Sequence, residues 1–346
     1  MPLCWRSCQN LYWSSENVLN DLPPERESVK IRAFVDEHFR HFNAGELQRA
    51  SASLSGLLHG EGKLFLTLAG AMSTAEIGRS LSLMIRHGHV AAISCTGANL
   101  EEDLFKLVAG EHYVHLPNYA DLGPEDEALL LERHLNRVTD TCIPEEEAIR
   151  TIEGHLMKLW TKASRESTTA LPHEYLYELL LSNALDAVNS NDAPHSWLLE
   201  AARANLPLYV PGWEDSTLGN IFAARCSQGL VTPEIIASGT HYMLHLIEFY
   251  KNQTGPLAFL QSGGGIAGDF PICVVPLLHQ DLEDIVPLWS WFAQITDATA
   301  SFGGYSGAPP NEKITWGKLA VDTPKFNINS DATIVLPLLF GYVLDL

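Results

Sequence analysis

Basic residues are scarce in this chain: 22 Lys plus Arg stand against 42 Asp plus Glu among 346 residues, giving a net charge of −20. A surface of that sign repels phosphate backbones and excludes nucleic acid as a partner. It confers solubility, and it would also draw in a polycation. Long hydrophobic runs are missing as well. No uninterrupted apolar stretch reaches the roughly 18 residues of a membrane span, and Met1 to Glu16 holds no contiguous apolar run of the signal-peptide kind. A soluble, cytoplasmic protein with no membrane partner is expected. The six cysteines (Cys4, Cys8, Cys95, Cys142, Cys226, Cys273) form neither a CxxC pair nor the Cys/His spacing of a structural zinc site, so reduced thiols and no metal are expected. His241 and His245 sit four apart on a predicted helix but lack the glutamate of an HExxH motif, and they read as packing or surface residues.

What is present is apolar substance: 46% hydrophobic against 18% charged residues, enough for one large α/β domain or two modest ones. From Val29 to about Leu58 apolar residues recur at intervals of three and four, which predicts a helical N-terminal layer over residues 1–60, broken at Asn43-Ala44-Gly45. From 61 to 346 short apolar runs alternate with amphipathic stretches. The runs Leu64–Ala69, Ala91–Cys95, Leu206–Val210, Leu257–Leu260, Phe292–Ile295 and Thr333–Leu339 are predicted strands. Helical patterns follow at Thr74–Arg86, Glu101–Val108, Thr217–Cys226 and Pro233–Tyr250. Glu125–Leu135 and Glu145–Ser164 form an added helical section, and Ser190–Ala193 a polar loop. The alternation predicts a Rossmann-like α/β fold: a mainly parallel sheet with helices on both faces and ligands at the carboxyl ends of the strands.

Three of those strand ends run into small or glycine-rich turns: Ala69 to Thr74, Cys95 to Asn99, and Ser262 to Gly265. Turns of this kind let a backbone approach a dinucleotide and offer N–H groups to its phosphates. They also occur as plain tight connections. The third spells G-x-G-x-x-G through Gly263, Gly265 and Gly268, although Pro271 is expected to interrupt the helix start. Near the C-terminus, Lys318 follows Trp316 by two residues and Glu312 by six. A lysine so placed can occupy an aromatic, partly dehydrated pocket that frees its amine for imine chemistry, and Trp316 can hold an alkylammonium over its ring. The same spacing also arises between ordinary surface and core neighbours.

Taken in order, these motifs resemble the deoxyhypusine synthase family from about Leu64 to the C-terminus. Ser306-Gly307-Ala308 through Trp316-Gly317-Lys318 looks like the family's SGA...E..(S/T)WGK signature. Glu101-Glu102-Asp103-Leu104 resembles its EEDL, and Asp215 to Gly219 its D-(G/S)-(S/T)-L-G turn. The resemblance implies a Rossmann-like homotetramer, a dimer of dimers, with NAD and polyamine sites at a subunit interface. It implies that Gly70, Ala71, Met72, Ser73, Thr74, Thr96, Gly97, Ala98, Glu102, Asp215, Gly264, Asp297, Ala298, Asp331 and Ala332 line the NAD site. Glu101, Glu102, Asn220, Asp269, Gly303, Gly304, Tyr305, Glu312, Trp316 and Lys318 would hold the amine. Lys318 would be the nucleophile. It would take the 4-aminobutyl group of spermidine as an imine, release 1,3-diaminopropane and pass the group to an acceptor amine, with NAD lending and recovering the hydride. Carboxylates are needed because a polyamine's charges must be paired once water is excluded.

The departures from the pattern cluster on the amine side. Asp269 stands at the family's histidine position, where it would serve in proton transfer or as a cation anchor. Cys273 replaces a polar residue four positions on, Asn220 replaces a carboxylate of the eukaryotic members, and Phe302 and Tyr305 stand where those members carry acids. Their long N-terminal extension is also expected to be lacking. A small acceptor such as putrescine, giving homospermidine, is therefore favoured over a translation-factor lysine. The third reading is a catalytically silent homologue that binds polyamine or nucleotide.

Overall fold

The computed structural model describes residues 29–182, 184–185 and 191–346. The segment Met1 to Ser15, with Cys4 and Cys8, and Ser190 of the expected polar loop lie outside the described residues. Six strands pair in parallel: β1 (Lys63–Leu68), β2 (Val90–Cys95), β6 (Leu208–Tyr209), β7 (Leu257–Ser262), β8 (Trp291–Thr296) and β9 (Lys325–Asn329), in the order β6-β2-β1-β7-β8-β9. A separate antiparallel ribbon of β3 (Val114–His115), β4 (Leu135–Val138) and β5 (Thr141–Pro144) interrupts the expected added helical section, whose helices run Pro124–Glu132 and Thr151–Glu166. The central strands are buried on both faces, which is why they read as continuous apolar runs without alternation.

Five of the six predicted strands are strands. The run Thr333–Leu339 is instead part of the helix Ala332–Leu344, capped by Asp331, whose carboxylate accepts from the Thr333 N–H at 2.7 Å. It is apolar at exposed as well as buried positions, Ile334 being 59% exposed, so the run shows no 3.6-residue period and cannot be told from a buried strand by periodicity. The sixth strand is Lys325–Asn329, a half-exposed edge strand whose lysine and asparagines hid it. The N-terminal break falls at Phe39–His41, before Asn43-Ala44-Gly45, between helices Ile31–His38 and Phe42–His59. Gly45 sits inside the second helix, where a Cβ would lie 2.9 Å from the Arg40 carbonyl. Pro271 does not block the helix start after Gly264: the helix runs Gly265–Ile272 and carries the proline in its last turn.

Two levels of side chain cross one face of the sheet. At the lower level Phe65, Phe259 and Phe292, paired in register on β1, β7 and β8, stack with ring centroids 5.6 and 6.0 Å apart. Phe249 of the helix Gly239–Lys251 packs edge-on against Phe65 and covers that face. Two residues further along each strand the level is polar throughout: Tyr209, Ser94, Thr67, Gln261, Gln294 and Asn327, one from each of the six strands in register. The amides of Gln261, Gln294 and Asn327 hydrogen-bond along the row. The helices Phe42–His59, Gly78–Arg86, Trp197–Arg203 and Ala332–Leu344 pack together on the opposite face.

Above the polar level lie the strand-end turns, drawn together by missing side chains. A Cβ on Gly263 would lie 2.8 Å from the Ala69 Cβ, and one on Gly264 would lie 2.0 Å from Ser306 Oγ. Gly264→Ala is expected to lower the unfolding free energy by about 1–3 kcal/mol through forced overpacking, and Gly264→Ala/Ser306→Gly to recover part of the loss. Denaturant titration checks this; equal stability of Gly264→Ala and wild type would mean that Ser306 is not seated on the β7 turn.

Candidate functional site at the carboxyl edge of the sheet

Parallel pairing puts every strand's carboxyl end on one edge, and the chain reverses its direction of travel across the sheet between β1 and β7. Ligands of open α/β sheets bind in the crevice above such a reversal. The expected cofactor residues other than Glu102, which lies within the helix Gly97–Ala109, stand on this edge. Gly70, Ala71, Met72, Ser73 and Thr74 follow β1, Thr96 to Ala98 follow β2, and Asp215 follows β6. Gly264, then Asp297 and Ala298, then Asp331 and Ala332 follow β7, β8 and β9. Asn99, wholly buried, ties two of these turns: its amide donates to the carbonyls of Leu68, Ala69 and Gly70, and its Oδ1 accepts from the Ser73 N–H at 3.0 Å. Gly97 lets the helix Gly97–Ala109 close on the next one, since a Cβ there would lie 2.6 Å from the Ser216 Cβ. The helix Gly265–Ile272 opens with no side-chain cap, and Ser262 Oγ and Gln261 Oε1 are buried without a partner among the described residues. Uncapped N–H groups, a glycine approach and unsatisfied polar atoms at a reversal point suit a dinucleotide.

Beside this crevice lies a cleft of about 640 Å³ lined by Asp269, Cys273, Gly303, Gly304, Tyr305, Glu312, Lys313, Trp316 and Lys318, among others. Lys318 is 5% exposed, and its ammonium donates to Asp269 Oδ1 at 3.1 Å. The rings of Tyr305 and Trp316 lie 5.6 and 5.7 Å from the same nitrogen. The Cys273 thiol points at Asp269 Oδ1, 3.6 Å away, and burial raises its pKa. Asp269 reaches the lysine because Gly268, pressed between the Gln261 side chain and the Tyr305 ring, leaves room for the helix to descend onto the sheet. Such a carboxylate can accept the proton that Lys318 must lose to act as a nucleophile.

Three expected amine ligands, Glu101, Glu102 and Asn220, stand outside this cleft. Glu101 accepts from the N–H groups of Thr217 and Leu218 at 2.8 and 2.7 Å, holding the positive end of the helix Thr217–Ser227. Glu102 accepts from Thr74 Oγ1 at 2.7 Å. Both line a second cleft of about 220 Å³, with Asn136, Arg150 and Thr217, that shares no residue with the first. Burial lifts the Glu101 pKa from 4.5 to about 7 against the pull of those two N–H groups, and it lifts Glu102 in the same direction. Asn220 is exposed on the helix Thr217–Ser227 and lines neither cleft.

The family model of deoxyhypusine synthase matches residues 37–343, a span that holds both clefts and all six parallel strands. The chain belongs to the deoxyhypusine synthase family. It is 27% identical over 333 residues to a deoxyhypusine synthase-like protein of Thermosynechococcus vestitus, covering 93% of this chain and 80% of that one. It is 28% identical over 329 residues to a protein of Methanosarcina mazei named probable deoxyhypusine synthase 2, covering 93% and 90%. The fold is shared with a solved deoxyhypusine synthase candidate from Entamoeba histolytica at TM-score 0.55 and 13% identity, over 91% of this chain and 93% of that one. Among the described residues no helix is long and apolar enough to cross a membrane.

Within this deoxyhypusine synthase fold two residues escaped the sequence reading. In the sequence Asn99 stands only as the end of a turn, though a buried asparagine in the first turn of a helix is a signal of backbone tethering. In the sequence Lys313 is part of the spacer before Lys318, yet it is 3% exposed and lines the same cleft. Burial, and after it the charge of Lys318, holds its pKa down to about 8.

A pH dependence follows from Glu101. Its folded pKa lies above its unfolded value, so the folded state binds more protons, and the stability due to this group is lost as pH rises from about 4.5 through about 7. In Glu101→Gln that part of the slope is expected to vanish. Denaturant unfolding at pH 5, 6 and 7 measures it, and parallel curves for the two proteins would refute the assignment.

Proposed function

We propose that the chain is an NAD-dependent aminobutyl transferase whose nucleophile is Lys318 and whose acceptor is a small amine such as putrescine, giving homospermidine. The observation that carries this reading is the contact between Lys318 and Asp269, a buried amine 3.1 Å from a carboxylate inside an aromatic-walled cleft. NAD, when bound in the crevice between the β1 and β7 turns, supplies reversible hydride acceptance at the carbon beside the donor's secondary amine, so the transfer is redox-neutral.

The chain's own residues do the rest. Asp269 holds Lys318 as an ion pair at rest and takes its proton as the amine attacks the donor's oxidised carbon. The carbon–nitrogen bond to the three-carbon arm breaks, 1,3-diaminopropane leaves with a proton, and the four-carbon arm stays on Lys318 as an imine. An unprotonated acceptor amine then displaces Lys318, which recovers its proton from Asp269. Trp316 and Tyr305 provide ring faces for alkylammonium groups, and Glu312 a counter-charge at the rim. Replacement of the family histidine by Asp269 favours a small cationic acceptor, because a carboxylate attracts the second ammonium of a diamine. Glu101 and Glu102 lie outside the Lys318 cleft within one chain, which supports a homo-oligomer, in keeping with the tetramer the family resemblance implies.

Product analysis by mass spectrometry after incubation with NAD, spermidine and putrescine tests the proposal. Homospermidine plus 1,3-diaminopropane is expected, with both lost in Lys318→Ala by at least about 10³-fold, the scale for removal of a covalent nucleophile. Diaminopropane without homospermidine would move the acceptor to a protein lysine. Absence of turnover with retained spermidine binding would identify a silent homologue.

A further inference from the structure

The cleft holds two lysines, and the proposed chemistry uses one. The Lys313 ammonium donates to the Ala308 carbonyl at 2.9 Å and to Gln294 Oε1 at 3.4 Å, the amide that also belongs to the polar row of the sheet. It lies 4.7 Å from the Tyr305 ring centroid, against 5.6 Å for Lys318 over the same ring. No carboxylate pairs with it within 4 Å among the described residues, whereas Lys318 has Asp269. A buried lysine held by neutral dipoles and a ring, with no counter-ion, keeps most of its field inside the protein. The charged residues that line the cleft are Asp269, Glu312, Lys313 and Lys318, two of each sign. A site that favoured the more highly charged of two polyamines would carry an excess of carboxylates. Here Lys313 cancels that excess.

We propose that Lys313 is a specificity-determining residue that penalises each added ammonium in this cleft, weakening the hold on the triamine donor as well, so that the acceptor is selected as a diamine in preference to a triamine. This deepens the transferase reading and rests on it for the word acceptor; the charge selection itself is a property of binding. The alternative role of Lys313 is a plain anchor that pins the segment after Ser306 to the sheet through Ala308 and Gln294. The two roles separate by charge. An anchor needs the hydrogen bonds, whereas selection needs the positive charge to remain beneath Tyr305.

Calorimetry with the full-length protein measures the affinities of putrescine and spermidine, and turnover assays with NAD present measure which of the two serves as acceptor. In Lys313→Met the spermidine-to-putrescine affinity ratio is expected to rise by about fivefold to tenfold, the effect of removing one like charge at about 8 Å under a dielectric between those of protein and water. Lys313→Arg should keep the wild-type ratio, and with Lys313→Met the triamine should appear as an aminobutyl acceptor. An unchanged ratio in a folded Lys313→Met, with only a lower Tm, would overturn the proposal and leave the anchor. A shift in both Lys313→Met and Lys313→Arg would overturn it too, because the charge would not be the cause. A shifted ratio without any turnover would sustain the selection while sinking the transferase reading.

Discussion

Parallel pairing is the constraint on which the site depends. Because every strand of the central sheet runs the same way, each must return through a crossover, and all six carboxyl ends arrive on one edge. Residues as far apart in sequence as Gly70, Asp215 and Asp331 are thereby brought to one rim without any contact between them having to be arranged individually. The crossovers also bury both faces, and that burial supplies the free energy that holds the rim steady. The turns themselves contribute little apolar surface. They are positioned by tethers such as Asn99 and by close backbone approaches at Gly97, Gly263 and Gly264.

Beneath the rim the sheet changes character within two residues. The stacked phenylalanines give way to a row with one polar side chain from each strand, and the loop that carries Lys318 rests on that row through Gln294 Nε2, which donates to the Ser306 carbonyl at 2.9 Å, and through Lys313. A buried amide is costly unless bonded. Here the amides bond to one another along the row and to the loop above it, so the loop's position is tied to the sheet's own register. The aromatic level below excludes water from the same region, which is the condition under which a charge such as that of Lys313 is felt at a distance.

Much of this was legible in the sequence. Five strands and the carboxyl-edge site follow from apolar runs that end in small residues, and Trp316 and Lys318, singled out by their spacing and by the family resemblance, do line one cleft. The failures have physical causes. Thr333–Leu339 is apolar on its exposed side too, at Ile334, which erases the 3.6-residue period, and Lys325–Asn329 is polar because it lies at the sheet's edge. The ribbon of β3, β4 and β5 pairs through backbone groups in strands of two to four residues, too short to show alternation. Lys313 could not be distinguished from a solvated lysine, since its burial depends on Gln294 and Phe292, contributed by a strand some twenty residues earlier. The family resemblance places Glu101 and Glu102 with the amine, but in the folded chain their oxygens are engaged by Thr217, Leu218 and Thr74.

The approach of Gly97 to Ser216 bears on how such a chain can diverge. Ser216 caps the helix Thr217–Ser227 by accepting from the Gly219 N–H at 2.9 Å, and its Cβ occupies the space a side chain at 97 would need. Gly219 is held in turn, since a Cβ there would meet the Trp213 carbonyl at 2.6 Å. These three positions therefore cannot drift independently. In relatives that keep this geometry they should change as a set or not at all, and an alignment deep enough to reveal covariation should couple 97 with 216 more strongly than with its own neighbours along the helix.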